Sequence, residues 1–155
     1  MLQAVDALQL KAIEIPCDPK DGLHLPALKT ALQQWDIKAC VVTPSNQNPT
    51  GTTLSTETRL QLLKLCEAGQ VPIIEDDVYG ELSYSEKRER ALKADDQAQN
   101  VIYCSSFSKS IAPGFRIGWI VGGRFQSEIE KFAYVQSLAI PTLTQKAIAN
   151  FLENG

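Results

Sequence analysis

Short β-rich runs recur along this chain with helix-periodic stretches between several of them, and that alternation constrains its fold more than any other feature. The runs are KAIEIP (Lys11 to Pro16), KACVVTP (Lys38 to Pro44), VPIIEDD (Val71 to Asp77), NVIYCSSF (Asn100 to Phe107) and RIGWIVGG (Arg116 to Gly123). Between them LPALKTALQQW and STETRLQLLKLCEAG carry helical spacing, the second opening on a cap pattern at Ser55 or Thr56 and closing at Gly69. Strands that alternate with helices pair mostly in parallel, because a parallel neighbour needs a crossover long enough to hold a helix. The near-continuous apolar content of CVV, VPII and VIYC suits strands covered on both faces. The expected architecture is α/β, a mainly parallel sheet with helices packed over it as a three-layer sandwich.

Outside these runs the chain is less regular. SEKRERALKADDQAQ reads as a solvated loop or partial helix, RFQSEIEKFAYVQSLA as a helix, and TLTQKAIANFLENG as another after Pro141. MLQAVDALQL offers no strand to begin such a sheet, so residues 1–155 read as the central part of a larger domain. With 155 residues, 44% hydrophobic and 21% charged, one soluble domain is expected. A formal charge of −3 argues against a broad basic surface for nucleic acid. Cys17, Cys40, Cys66 and Cys104 form no CxxC pair and His24 is the single histidine, which excludes the usual zinc cage and a Cys/His nucleophile pair. All four thiols are expected to be reduced, with Cys40 and Cys104 in the core of apolar strands. No charged-then-apolar leader and no run of about 18 apolar residues occurs, so a cytoplasmic protein away from membranes is expected.

In open α/β sheets ligands gather beyond the carboxyl ends of the strands. Three successive strand ends here carry unusual polar residues: TPSNQNPTG after ACVV, EDDVYG after VPII, and SSFSK after VIYC. They would bring Asn48, Asp76, Tyr79, Ser106, Ser108 and Lys109 to one edge of the sheet. Singly, each has an ordinary structural explanation. Asn-Pro-Thr-Gly is common turn chemistry, an aspartate often caps a helix, a tyrosine often lines a wall, and Arg116 alone would be a surface charge. Their joint occurrence at consecutive strand ends is the informative observation.

Asn48-Pro-x-Gly51, then Asp76-x-x-Tyr79, then Ser106-x-x-Lys109 with Arg116 shortly after, resembles the large domain of fold-type I pyridoxal-phosphate enzymes, the aminotransferase class I/II group. Within it, CSSFSKSIAPGFRIGW and IIEDDVYGEL are most similar to the MocR-type regulators of the GntR superfamily, in which an aminotransferase-like domain follows a winged-helix DNA-binding domain. The resemblance implies the aspartate-aminotransferase-like fold and pyridoxal 5'-phosphate as cofactor. It gives Lys109 the catalytic role of carrying the cofactor aldehyde as an internal aldimine, which needs an uncharged amine. Asp76 would pair with the pyridinium nitrogen, Asn48 and Tyr79 would hydrogen-bond the ring oxygen, and Ser106, Ser108 and Arg116 would hold the phosphate. Strand alternation separates Asp76 from Glu75 and Asp77 but does not say which of them faces the site. No metal is implied.

Related domains also use an upstream phosphate-binding helix start and stacking aromatic, a downstream small domain, and a homodimer partner, all expected outside this chain. DNA contact would come only through a domain that the chain lacks, and the small-molecule partner would be an amino acid or a related amine or 2-oxo acid. Three readings follow: a MocR-type regulator domain, an ordinary class I/II aminotransferase with the same site, or a decayed scaffold, against which the complete residue set counts. Ser-x-x-Lys also occurs in penicillin-binding enzymes, but their companion Ser-Asp-Asn and Lys-Thr-Gly signatures are absent.

Overall fold

The computed structural model describes residues 2–84 and 86–154. Its elements, in chain order, are α1 (Leu2–Ala7), the short hairpin strands β1 (Cys17–Asp18) and β2 (Gly22–Leu23), α2 (Leu25–Gln34), β3 (Cys40–Val42), α3 (Thr56–Ala68), β4 (Ile73–Asp76), β5 (Val101–Ser106), β6 (Gly118–Val121), α4 (Gln126–Ser137) and α5 (Thr142–Asn154). The main sheet has the order β3-β4-β5-β6. Val41 pairs with Ile74, and Ile74 with Ile102, in two parallel ladders. Strand β6 runs antiparallel to β5, Ser106 opposite Gly118, because the connection between them is a tight turn and not a crossover helix. The fold is therefore α/β with a mainly parallel sheet, as expected.

The two helices between the strands start on side-chain caps. His24 Nδ1 accepts from the Ala27 N–H at 3.2 Å ahead of α2, and Ser55 Oγ from the Thr58 N–H at 3.1 Å ahead of α3. Gly69 ends α3. Leu28 of α2 and Leu62 and Cys66 of α3 then meet Ile73 and Val101 of the sheet, and Leu54 and Leu92 complete this core. Burying these side chains contributes about 1.5–3 kcal/mol each against the entropy of ordering the chain.

Several expectations need correction. Lys11 to Pro16 forms no strand: its backbone lies beside no partner, and the Pro16 carbonyl instead accepts from His24 N at 3.0 Å as the small β1–β2 hairpin begins. Only one face of the sheet is closed, by α2, α3 and a 3-10 turn at Leu92–Asp95, while Val41 and all of β6 remain exposed. Cys104 is only half-buried because its side chain lies on the open face next to Asp76, whereas Cys40, also half-buried, packs against the core on the covered face beside Cys66 of α3, the fully buried thiol. The polar stretch after Tyr84, whose Ser85 lies outside the described residues, is not wholly solvated: Leu92 is a core residue, and the exposed Arg88 reaches in to the buried Asp77.

Candidate functional site

Each strand end presents its polar residues through a loop fixed from behind. After β3, the Leu54 N–H donates to the Pro44 carbonyl at 2.9 Å and closes a loop whose tip holds Asn48, joined to Pro49 by a cis peptide bond. Arg59 of α3, only 4% exposed, clamps this loop. Its Nε donates to the Leu54 carbonyl at 2.9 Å, Nη2 to the Pro44 carbonyl at 2.8 Å and to Ser45 Oγ at 2.9 Å, and Nη1 to the Arg90 carbonyl at 2.9 Å. Asn46, in the left-handed region at φ 49°, takes Thr53 Oγ1 as acceptor for its N–H and donates Nδ2 to the Tyr79 carbonyl at 2.9 Å. The loop is thus tied to the end of β4, and Asn48 Nδ2 comes 3.3 Å from the Tyr79 hydroxyl as its donor.

At the end of β4, alternation sorts three consecutive acids. Glu75 and Asp77 point into the covered side with Ile73, while Asp76 stands on the opposite, half-buried side. The Glu75 carboxylate accepts from the N–H groups of Leu92 at 2.7 Å and Lys93 at 2.9 Å, capping the 3-10 turn; burial pushes its pKa up against those bonds. Asp77 accepts from the Tyr103 hydroxyl at 2.9 Å and from Arg88, and its carbonyl accepts from Ser105 Oγ at 3.0 Å. Burial raises the Asp77 carboxyl as well, with Tyr103 and Arg88 favouring the charged form. Asp76 has no hydrogen bond or ion pair among the described residues, so its carboxylate is open to a ligand.

After β5 the chain turns sharply. The N–H groups of Ile111 and Ala112 both donate to the Phe107 carbonyl, at 3.0 and 3.1 Å, which puts Lys109 on a turn instead of a helix face. Lys109 Nζ sits 5.8 Å from the centre of the Tyr79 ring. Ser106 Oγ accepts from the Ser108 N–H at 3.4 Å. A Cβ on Gly118 would lie 2.8 Å from the Ser105 carbonyl, so only glycine lets β6 approach β5 this closely. Arg116 ends the same connection at φ 54°, exposed, with Nη1 3.5 Å from the Pro113 carbonyl. The structure thus gathers Asn48, Tyr79 and Lys109, puts Ser106 and Ser108 in one turn, and leaves Arg116 directed at its own loop.

The donor set fits a phosphorylated pyridine that carries an aldehyde: an open carboxylate for a ring nitrogen, an amide and a phenol side by side for a ring oxygen, hydroxyls for a phosphate, and an amine without a carboxylate partner among the described residues. The sequence reading missed the groups behind it, namely Asn46, Arg59, Arg88, Glu75 and Asp77. Arg59 did leave a signal, an arginine on the apolar spacing of Leu62 and Cys66 in α3. The flanking acids left another, since charges inside an apolar strand need buried partners.

The sequence profile of the family described as Aminotransferase class I and II matches residues 1–155. HTH-type transcriptional regulator YdcR of Escherichia coli is 40% identical over 97% of this chain, which covers 32% of that protein. Aromatic-amino-acid aminotransferase 1 of Thermococcus litoralis is 34% identical over 99% of the chain and 38% of its own length. Among solved structures, the alpha-aminoadipate aminotransferase LysN of Thermus thermophilus, complexed with N-(5'-phosphopyridoxyl)-L-leucine, superposes with a TM-score of 0.93 at 28% identity, over 99% of this chain and 40% of that one. The chain spans about a third of the length of the curated relatives it matches.

Proposed function

This chain belongs to the aminotransferase class I and II family, and from that membership we propose that it is the central part of a pyridoxal-phosphate-binding, aminotransferase-like domain in a MocR-type regulator of the GntR superfamily. The observation that carries the regulator reading is identity: two HTH-type regulators match at 40% and 39% over nearly all of the chain. The remaining parts of the domain, a winged-helix DNA-binding domain and the homodimer partner lie outside these residues in this reading, and the protein works in the cytoplasm. DNA contact falls to the other domain, in keeping with the net negative charge of this one.

When bound, pyridoxal phosphate supplies an aldehyde that condenses with amines and a pyridinium ring that draws electrons from the attached carbon. Lys109 brings the amine that holds it. Asp76, being free of other partners, keeps a proton on the ring nitrogen by charge. Asn48 and Tyr79 would donate to the ring oxygen and so orient the ring. Ser106 and Ser108 would donate to the phosphate, and Arg116 would offer it a planar pair of N–H groups, which a lysine cannot reproduce. Asp76→Ala is expected to damage the chemistry at nearly unchanged cofactor affinity. Arg116→Ala is expected to weaken cofactor binding by about 1.5–3 kcal/mol, the worth of a charged hydrogen bond. Cofactor titration of both variants tests the split, and wild-type affinity in Arg116→Ala removes that residue from the site.

An ordinary aminotransferase that moves an amino group from an amino acid to a 2-oxo acid is the second reading, favoured by the 34% identity to the Thermococcus enzyme. The full-length protein that carries this chain separates the two. Fluorescence anisotropy on duplex DNA from its own promoter region is expected to show binding that changes when pyridoxal phosphate and an amino acid are added. Multiple turnovers of amino transfer without DNA binding would establish the enzyme reading instead.

A further inference from the structure

Behind the turn that carries Tyr79 lies a polar cluster, built around the buried Asp77 and Tyr103, that is used by none of the roles above. Arg88 enters it from the segment that follows the turn. Its Nη2 donates to Asp77 Oδ2 and, at 3.3 Å, to the Tyr103 hydroxyl, while Nε lies 2.9 Å from Glu81 Oε1. Asp77 precedes Tyr79 by two residues and Glu81 follows it by two, so one guanidinium holds both ends of one turn. Tyr103 closes the ring of bonds by donating to Asp77 at 2.9 Å and ties it to β5. A Cβ on Gly80 would overlap Asp77 Oδ1 and lie 2.9 Å from Arg88 Nη2: the ion pair occupies the place of the missing side chain.

We propose that Arg88 is a positioning residue that staples the 77–81 turn from behind and so fixes the directions in which Asp76 and Tyr79 meet the cofactor. The proposal rests on the reading of those two residues as ring contacts. A planar fork is needed, since a lysine ammonium cannot span two carboxylates and a phenol. The inner arm is strong because the Asp77 side chain is 2% exposed, whereas Glu81, at 62%, is screened by water and adds less.

The test uses the full-length protein loaded with pyridoxal phosphate, and reads the visible circular dichroism of the bound cofactor, which reports how asymmetrically the ring is held, together with its dissociation constant. Arg88→Met is expected to lose about half or more of the dichroism and to bind the cofactor roughly threefold to tenfold more weakly, as small misplacements of contact groups do. Arg88→Lys recovers only part of this. Glu81→Ala cuts only the exposed arm, keeps the unfolding midpoint, and shifts the dichroism in the same direction by less. Arg90→Met, a neighbouring arginine paired with Asp95 on the surface, matches wild type. Wild-type dichroism in a folded Arg88→Met overturns the staple; should that variant not fold, wild-type dichroism in Glu81→Ala does so. Tyr79→Phe separates the two levels: if it changes the dichroism and Arg88→Met does not, the staple alone falls, whereas no change in Tyr79→Phe, or no visible band in the wild type, takes down the site reading and the staple together.

Discussion

Incubated with pyridoxal phosphate and then borohydride, the full-length protein is expected to retain the cofactor covalently on the peptide spanning Ser106 to Ser110, and Lys109→Ala to retain none. The expectation comes from where this amine stands. Lys38 pairs with Asp36 at 2.6 Å and Lys93 with Asp96 at 2.9 Å, whereas Lys109 has no carboxylate partner among the described residues and sits beside the Tyr79 ring. An aldehyde condenses with an uncharged amine, and an ion pair would hold the amine charged. Loss of the linkage is total in the variant because no other residue in the turn carries an amine. Peptide mapping of the reduced protein decides the matter, and a label found on Lys64 or Lys131 would refute the assignment.

Arg59→Leu is expected to cost about 1.5–3 kcal/mol in urea unfolding, the range for losing hydrogen bonds from a charged donor to buried neutral acceptors. Leucine fills part of the volume but leaves the Arg90 carbonyl and Ser45 hydroxyl without their donors, and it frees the loop that holds Asn48. Arg59→Lys is expected to restore little, because a single ammonium cannot reach four acceptors arranged around a planar fork. Cofactor affinity is expected to fall with the stability. A loss below about 1 kcal/mol would show that the loop is held by the Pro44–Leu54 backbone bond and Asn46 without the clamp.

How far the sequence could be read follows from the range of the forces involved. Helix caps at Ser55 and Gly69, and the strands within KACVVTP, VPIIEDD, NVIYCSSF and RIGWIVGG, are local matters of spacing and propensity, and they form inside the runs that periodicity marks. Lys11 to Pro16 alternates Ile13 and Ile15 with polar residues as a strand would, but a strand exists only beside a partner, and partner choice is not local. The same limit governed the acids after Ile74. Period-two alternation parts Asp76 from its neighbours, yet what turns Glu75 and Asp77 inward is the supply of donors on the covered side: Leu92 and Lys93 for one, Arg88 and Tyr103 for the other, 11 to 26 residues away. Arg59 looks like a misplaced surface charge in a helical wheel until carbonyls from three separate segments are seen around it.

The placement of those three acids also guards the alignment of the central strand. A slip of β4 by one residue between β3 and β5 would exchange its two faces. Two carboxylates would then emerge on the open side, and a single one would be left inside against donors arranged for two. Apolar neighbours resist such a shift weakly here, since Ile73 and Ile74 are interchangeable in bulk; the ionic residues distinguish one alignment from the other. Which acid is offered to a ligand is therefore decided when the strand zips into the sheet, before any ligand arrives.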